Sequence, residues 1–362
     1  MKSKLGVYII TFGGFDAVDY FKRAQPRIAL SMDHNADMWR QLKQVSPNTF
    51  VIGRHYVDDG EQIFIDNPES RAEQFFQRMK PDAEKMRGIY DAWMGYNESV
   101  VQSNEAAQAL SRFHVRWGDL MRDAKLVSCA YSFATGNPEL EYWPALAEGL
   151  RHCDLLSLHE YSARTMEQNS SWLCLRYRRA IDALPPDARK QVVITETGID
   201  GGVLPDPNDA QQGWTFYTDE AGYVATLSWY DKEMQKDDYV IGAAIFATSP
   251  WGKRGSFGIA NANQIRDYMA QGGAPAPVVI NAIADPAASA AIAAAKKLKL
   301  MPINTDGALY KFAEEQNLGY PQTDEFEFTS GGATYVGQVY NLGIVFVKKG
   351  DWGNVLWMKK PT

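Results

Sequence analysis

The chain has 362 residues, and 37 basic against 44 acidic side chains leave a formal net charge of −7. Such a balance is unlike that of polyanion-binding proteins, so we expect no nucleic-acid partner. With 45% hydrophobic and 22% charged residues, and with 10 Trp, 18 Tyr and 16 Phe, the composition indicates a well-cored globular protein and excludes a disordered or fibrous one.

Eight apolar, β-branched runs that end in polar or glycine residues dominate the first 250 residues. In chain order they predict the strands Gly6–Phe12, Arg27–Met32, Thr49–Tyr56, Ile89–Tyr96, Lys125–Tyr131, Asp154–His159, Gln191–Thr195 and Val240–Thr248. Helical spacing with charged outer faces fills every gap but the first, at Asp37–Val45, Pro68–Arg87, Glu105–Arg122, Tyr142–Arg151, Trp172–Ala183 and Asp219–Met234. Strand and helix repeated about eight times predict an α/β protein with a (β/α)8 barrel over residues 1–272.

A doubly wound open sheet is the alternative architecture for the same alternation. It needs a glycine-rich phosphate loop after an early strand, and Phe12-Gly13-Gly14 is too short for one. The opening run MKSKLGVYIITFGG reaches the polar Thr11 too soon for a signal peptide, and no window approaches 18 consecutive apolar residues. We therefore expect no membrane partner, while a cytoplasmic location and secretion with a removed leader both stay open.

The composition changes abruptly at Gly272. Residues 273–300 are rich in Ala and Pro and predict a linker whose second half, from Pro286 to Lys299, is helical. Residues 301–362 combine one helical stretch, Asp306–Gln316, with short β runs and turn signals, which predicts a small α+β accessory module. The three cysteines, Cys129, Cys153 and Cys174, lie in apolar or helical stretches and predict buried thiols.

In a (β/α)8 barrel the active site lies at the carboxyl ends of the strands. The polar residues that directly follow each apolar run are therefore the candidates for catalysis and binding. Two such positions hold glutamates. The fourth run is followed by Asn97-Glu98, and the seventh leads into Ile194-Thr195-Glu196-Thr197-Gly198. Two carboxyl groups that face each other across a barrel mouth are what glycosidic bond cleavage requires.

This pattern resembles clan A of the glycoside hydrolases, the retaining (β/α)8 enzymes with catalytic glutamates after strands four and seven. The resemblance covers residues 1–270 and implies Glu98 as acid/base, Glu196 as nucleophile and Asn97 as the residue that binds the neighbouring sugar hydroxyl. It extends to His159 and Tyr161 at the sixth strand and to Trp251 after the eighth. By this resemblance the substrate is a carbohydrate, and no metal or cofactor is implied.

The two glutamates need opposite environments for these roles. Arg54, which ends the third strand, and Tyr161 indicate a polar setting that keeps Glu196 ionised. Trp93 and Tyr96 indicate an apolar setting that keeps Glu98 protonated. Three non-catalytic interpretations stay open: Glu98 as a cap of the next helix, Asn97-Glu98-Ser99 as a glycosylation sequon, and Glu196 as a structural partner of Arg54.

Further residues are candidates for the substrate pocket because of their position after strands. His55 and His34 follow strands three and two, Tyr131 ends strand five, and Trp214 lies in the long loop after strand seven. The histidines form no HExxH pattern, so a hydrolytic zinc centre is not expected. The alternatives in function are a non-catalytic carbohydrate-binding protein on a degenerate barrel and a cell-wall or capsule-degrading lytic component.

Overall fold

The computed structural model describes residues 2–63, 66–250, 252–280 and 304–360. The chain divides into two compact units, Met1–Ile283 and Ala284–Thr362. The predicted helix Pro286–Lys299 and the candidate Trp251 lie outside the described residues.

The first unit is a closed barrel of eight parallel strands, which confirms the predicted fold class. The strands follow one another around the barrel in chain order, and β1 pairs with β8 to close it. Their bounds are β1 Leu5–Ile9, β2 Ile28–Ser31, β3 Phe50–Gly53, β4 Ala92–Met94, β5 Ser128–Phe133, β6 Leu155–Ser162, β7 Val192–Ile199 and β8 Val240–Ile245.

Every residue of these eight strands is buried, because both faces of the parallel sheet are covered. Alternate residues of β1 belong to two apolar clusters: Val7 packs between sheet and helices, and Tyr8 belongs to the cluster inside the barrel. Gly6 allows the close approach of β1 and β2, since a Cβ there would lie 1.8 Å from the carbonyl oxygen of Ile28.

Helices surround the barrel, and their bounds are α1 Ala17–Ala24, α2 Ala36–Val45, α3 Asp59–Gln62, α4 Pro68–Lys85, α5 Asn104–Asp123, α6 Trp143–His152, α7 Arg176–Ala183, α8 Trp214–Tyr217, α9 Glu220–Met234 and α10 Asn263–Ala270. The prediction of no helix in the first gap was wrong. Helix α1 is only two turns long, and its N-cap Asp16 accepts a hydrogen bond from the backbone N–H of Asp19. None of the described helices combines the length and apolar character that crossing a bilayer requires.

The predicted helix Trp172–Ala183 begins four residues late, at Arg176, and the buried Glu160 explains where it starts. Its carboxylate accepts hydrogen bonds from the backbone N–H groups of Leu175 and Tyr177 and from the hydroxyl of Tyr230. A side chain of β6 thus supplies the acceptors that an N-cap residue normally provides. Burial raises the pKa of the Glu160 carboxyl to about 7 despite these donors.

Within its described residues, 304–360, the second unit has one helix, Ala308–Glu315, and an antiparallel sheet in the order β12-β11-β10-β9. The strands are β9 Phe326–Ser330, β10 Ala333–Val339, β11 Gly343–Lys348 and β12 Leu356–Lys359. This confirms the predicted small α+β module. In the first unit Cys129, Cys153 and Cys174 are all buried, as predicted.

Candidate active site

A cavity of about 690 Å³ opens among the carboxyl ends of the barrel strands. Strands β1, β4, β6 and β7 all contribute to its wall, either directly or through the residues that follow them. Its polar lining residues include Tyr8, Arg54, Asn97, Glu98, Tyr161 and Glu196. The structure therefore brings the two predicted catalytic glutamates and three of the predicted binding residues to one place.

Glu196 lies within β7 and is fixed through both carboxylate oxygens. The guanidinium Nη1 of Arg54 lies 2.8 Å from Oε1, and the hydroxyl of Tyr161 donates to Oε2 at 2.8 Å. Only 10% of the Glu196 side chain is exposed. Arg54 also donates to the hydroxyl of Tyr8 at 2.9 Å, so the cation is itself held from two sides. A cation and a hydroxyl donor, one on each oxygen, hold a buried carboxylate in a fixed orientation.

Glu98 follows β4 and is more open, with 44% of its side chain exposed. Its backbone adopts a left-handed conformation, φ 54°, and its N–H donates to the carbonyl of Ser132 at 2.9 Å. Non-glycine residues rarely adopt this conformation, and when they do it is often at functional sites. The carboxylate Oε1 lies 2.7 Å from Nδ1 of His159. Helix α5 is capped by Ser103 rather than by Glu98, so the capping interpretation was wrong.

His159 connects the two glutamates. Its ring is fully buried, and Nδ1 lies 2.7 Å from Oε1 of Glu98 and 3.8 Å from Oε2 of Glu196. Burial lowers the pKa of His159, but the charges of Glu196 and Glu98 outweigh it and raise that pKa above its ordinary value. Burial likewise raises the pKa of Glu98, but the hydrogen bond and charge of His159 outweigh it and lower that pKa. Both shifts favour the arrangement in which the imidazole carries the proton and Glu98 the negative charge.

The apolar setting expected for Glu98 is therefore a wrong prediction. Trp93 packs against His34 and Tyr90, with ring centroids 5.3 and 5.2 Å apart. Tyr96 stacks on Phe113, and its hydroxyl donates to Glu61. Neither aromatic surrounds the Glu98 carboxyl, whose nearest ionisable partner is an imidazole.

Glu98, His159 and Glu196 each offer one ligand atom, and these atoms all lie within 4.8 Å of one another. The spacing alone would suit a cation. However, Arg54 and Tyr161 already hold the two oxygens of Glu196, and the raised pKa of His159 favours a protonated ring without a free lone pair at Nδ1. The donor set thus fits a proton-transfer site better than a metal centre.

Asn97 is 7% exposed and lines the same cavity. Its backbone N–H donates to the side-chain oxygen of Gln62 at 2.9 Å, while its own Oδ1 is buried and has no hydrogen-bond partner among the described residues. A buried acceptor without a partner is unfavourable unless a ligand supplies the donor. The same burial disfavours the sequon interpretation, because an oligosaccharide chain needs an exposed asparagine.

Four of the residues predicted to line the pocket lie away from the described cavity wall. His55 faces α4, where its Nδ1 lies 2.8 Å from Asp82, and His34 lies 3.8 Å from the same carboxylate. Tyr131 is fully buried in the layer between sheet and helices and donates to the carbonyl of Leu146. Trp214 is buried against Tyr223, with ring centroids 5.1 Å apart. The described contacts of these side chains are with other residues of the first unit.

The cavity residues that the sequence analysis missed include Tyr8, Tyr56, Asp200 and Arg254. Tyr8 is the one polar side chain in the strand LGVYI, and a polar group in an otherwise apolar strand could have indicated a site residue. Asp200 directly follows β7, and burial raises its pKa. Tyr56 ends the third predicted strand but lies beyond β3, which stops at Gly53, and Arg254 lies in a short segment after β8 that no strand signal marks.

No family model matches this chain, and no curated protein matches its sequence. Solved structures do match. The β-glucuronidase of Bifidobacterium dentium has a TM-score of 0.52 at 12% identity over 75% of this chain and 47% of its own. For the β-glucuronidase of Faecalibacterium prausnitzii the TM-score is 0.51 at 13% identity, over 76% and 50%. The chain spans about half the length of these proteins. At such identities the likeness confirms the predicted resemblance to barrel glycoside hydrolases at the level of the fold.

Proposed function

We propose that this protein is a retaining glycoside hydrolase that cleaves O-glycosidic bonds of a poly- or oligosaccharide by double displacement. The observation that carries the proposal is the pair Glu98 and Glu196, which lie after β4 and in β7, in one cavity, with an oxygen of each within 4.8 Å. Retaining enzymes need carboxyl groups about 5 to 5.5 Å apart, whereas inverting enzymes need about 6.5 to 9.5 Å to admit a water molecule.

Glu196 has the environment of a nucleophile. Arg54 and Tyr161 orient its two oxygens and favour the ionised form, so an oxygen lone pair is available to attack the anomeric carbon. As the carbon–oxygen bond to Glu196 forms, the bond to the leaving group breaks and the leaving oxygen takes a proton from Glu98. Glu98, then ionised, removes a proton from water, whose oxygen displaces Glu196 from the glycosyl intermediate.

The proton that Glu98 donates is held on His159 in the free protein. The lowered pKa of Glu98 and the raised pKa of His159 support this position for the proton, and Nδ1 lies 2.7 Å from the carboxylate. A sugar bound over Glu98 excludes water and disfavours the separated charges, so the proton moves to Oε1 and leaves both groups neutral. The buried acceptor Oδ1 of Asn97 then receives a sugar hydroxyl next to the reacting carbon.

Two further points belong to this proposal. The glycoside hydrolases with the same barrel support a carbohydrate substrate, and one of them was solved with coumarin-3-O-glucuronide. We also propose that residues 1–272 form the catalytic domain, that residues 273–300 link it to the rest, and that residues 301–362 are an accessory module. The cavity lies wholly within the first of these ranges.

Hydrolysis of a panel of polysaccharides and aryl glycosides tests the proposal. We expect the wild-type chain to release reducing sugar from at least one member, and Glu196→Gln to abolish the release. Glu84→Gln is the matched control, since Glu84 lies on α4 with 58% of its side chain exposed. Binding of a saccharide without turnover by the wild type would instead favour the non-catalytic carbohydrate-binding function, and neither binding nor turnover would contradict both.

A further inference from the structure

Arg254 lies in the short 3₁₀ helix Gly252–Phe257 after β8 and lines the candidate active-site cavity. Its guanidinium carbon is 5.8 Å from the ring centroid of Phe246. The Phe246 ring lies 5.4 Å from that of Tyr8 and 6.4 Å from that of Tyr161. Because Tyr161 holds the carboxylate of Glu196, these contacts place Arg254 on the nucleophile side of the cavity.

The two arginines of the cavity wall differ in how their charge is used. Arg54 is bound to Glu196 and Tyr8, and only 12% of its side chain is exposed. Arg254 is exposed and forms no hydrogen bond or ion pair with any of the side chains that the structure describes. Its charge nevertheless acts on the site, since it contributes to lowering the pKa of Glu98 and opposes the raised pKa of Asp200.

An exposed guanidinium at a concave site offers up to five N–H donors in a planar fork, which matches the paired oxygens of an oxyanion. Sugar hydroxyls satisfy such a group only in part, because they bring no compensating charge. The cavity also holds the carboxylates Asp59, Glu98, Glu196 and Asp200, which repel an anion everywhere except near a cation. Among the described lining residues Arg54 is already bound to Glu196, which leaves Arg254 as the cation that can bind an anionic group.

We propose that Arg254 binds an oxyanion carried by the substrate, the carboxylate of a uronic acid or a sulfate ester, on the sugar bound at the nucleophile side. This inference rests on the proposed function for its site and adds the chemical class of the substrate. It makes Arg254 a specificity-determining residue, because a substrate without the anion leaves the guanidinium without a partner.

The test uses acidic polysaccharides and their own neutralised forms. Carboxyl reduction converts each uronic acid to the neutral sugar without changing the linkages, and desulfation removes sulfate esters only. Cleavage and equilibrium binding are measured for the wild type, Arg254→Gln and Arg254→Lys, with Arg112→Gln as control. Arg112 lies on α5, is paired with Glu69 and has 54% of its side chain exposed.

We expect the wild type to prefer an acidic form over its neutralised form by about tenfold to a hundredfold in kcat/KM, which is the size of one charge-assisted contact. Arg254→Gln should lose this preference, Arg254→Lys should keep part of it, and Arg112→Gln should keep all of it. If carboxyl reduction of the substrate lowers kcat/KM and binding, the bound anion is a uronic acid carboxylate. If desulfation lowers them, the bound anion is a sulfate ester.

Equal cleavage or equal binding of acidic and neutralised forms would overturn the inference while leaving the proposed hydrolase intact. The same holds if Arg254→Gln weakens both forms equally, since Arg254 would then only offset the cavity's carboxylates. If nothing is cleaved but binding still requires the anion and Arg254, the hydrolase proposal fails and the oxyanion site stands.

Discussion

The two sides of the active-site cavity hold the same chemical group in unlike ways. On the β7 side, Glu196 is nearly buried and both of its oxygens accept a hydrogen bond, from Arg54 and Tyr161. On the β4 side, Glu98 is 44% exposed and is paired only with His159. A carboxylate held at both oxygens is suited to attack from one position, and a carboxylate beside a protonated imidazole is suited to gain and lose a proton.

The difference shows that two chemically identical side chains acquire separate roles from their partners rather than from burial alone. Burial raises the pKa of Glu98, yet His159 outweighs that effect. The acid function that we propose for Glu98 therefore depends on His159 as a second residue that stores the proton, whereas the proposed role of Glu196 depends on Arg54 and Tyr161, whose pKa values are raised. Substitutions on the two sides should differ in kind as well as in size.

The largest loss is expected for Glu196→Gln. The amide keeps the shape of the side chain but removes the attacking charge, so turnover should fall by about three to six orders of magnitude on every substrate. Rates on aryl glycosides with good and poor leaving groups measure this. If Glu196→Gln keeps wild-type turnover on either type, Glu196 is not the nucleophile.

Glu98→Ala, unlike Glu196→Gln, should affect substrates differently according to their leaving group. Substrates with poor leaving groups need the proton, so their rate of hydrolysis should fall by about 10² to 10⁴-fold. For substrates with good leaving groups, the rate of the bond-breaking step should fall far less. Azide should then restore turnover by attacking the glycosyl intermediate without base assistance. If the rate falls equally for good and poor leaving groups, and no azide adduct forms, Glu98 is not the acid/base residue.

His159→Gln should change the pH profile as well as the rate. In the wild type, the last proton leaves the His159 and Glu98 pair near the raised pKa of His159, so kcat/KM should fall only above pH about 6.5. In the variant that proton is bound to Glu98 alone, and the alkaline limb should move to lower pH. His152→Gln, at the partly exposed end of α6, is the control and should leave the limb in place. An unmoved limb in His159→Gln would mean that His159 is structural only.

The smallest effect is expected from removal of residues 284–362. Both sides of the cavity belong to the barrel, so hydrolysis of a small soluble aryl glycoside should stay within about twofold of the full chain. Circular dichroism and the thermal midpoint establish that the shortened chain is folded. A folded barrel without activity would assign the second unit to the active site.

The sequence was sufficient to predict the barrel and the position of Arg54 and Tyr161 beside Glu196. Continuous apolar runs mark strands that are buried on both faces, and Arg54, Tyr161 and Glu196 come together because the ends of parallel strands meet at one face. Position after a strand does not determine which way a side chain points. Tyr131 ends a predicted strand yet lies inside β5, which runs on to Phe133, and its ring faces the helices.

The environment of Glu98 could not be predicted from the sequence for a related reason. Its neighbours in the chain, Trp93 and Tyr96, are apolar, but they point away from its carboxyl. The side chain that determines its pKa, His159, is 61 residues further along and reaches it only through barrel closure. Local composition therefore predicted the wrong direction for that pKa.

Covalent trapping of the intermediate tests the central claim most directly. A 2-deoxy-2-fluoro glycoside with a good leaving group slows both steps, and the second step can be made slower than the first, so the glycosyl intermediate accumulates. Mass spectrometry of the digested protein should then find one fluoroglycosyl group on the peptide that carries Glu196, and none in Glu196→Gln. A label on another residue, or product of inverted anomeric configuration without any label, would contradict the double displacement proposed here.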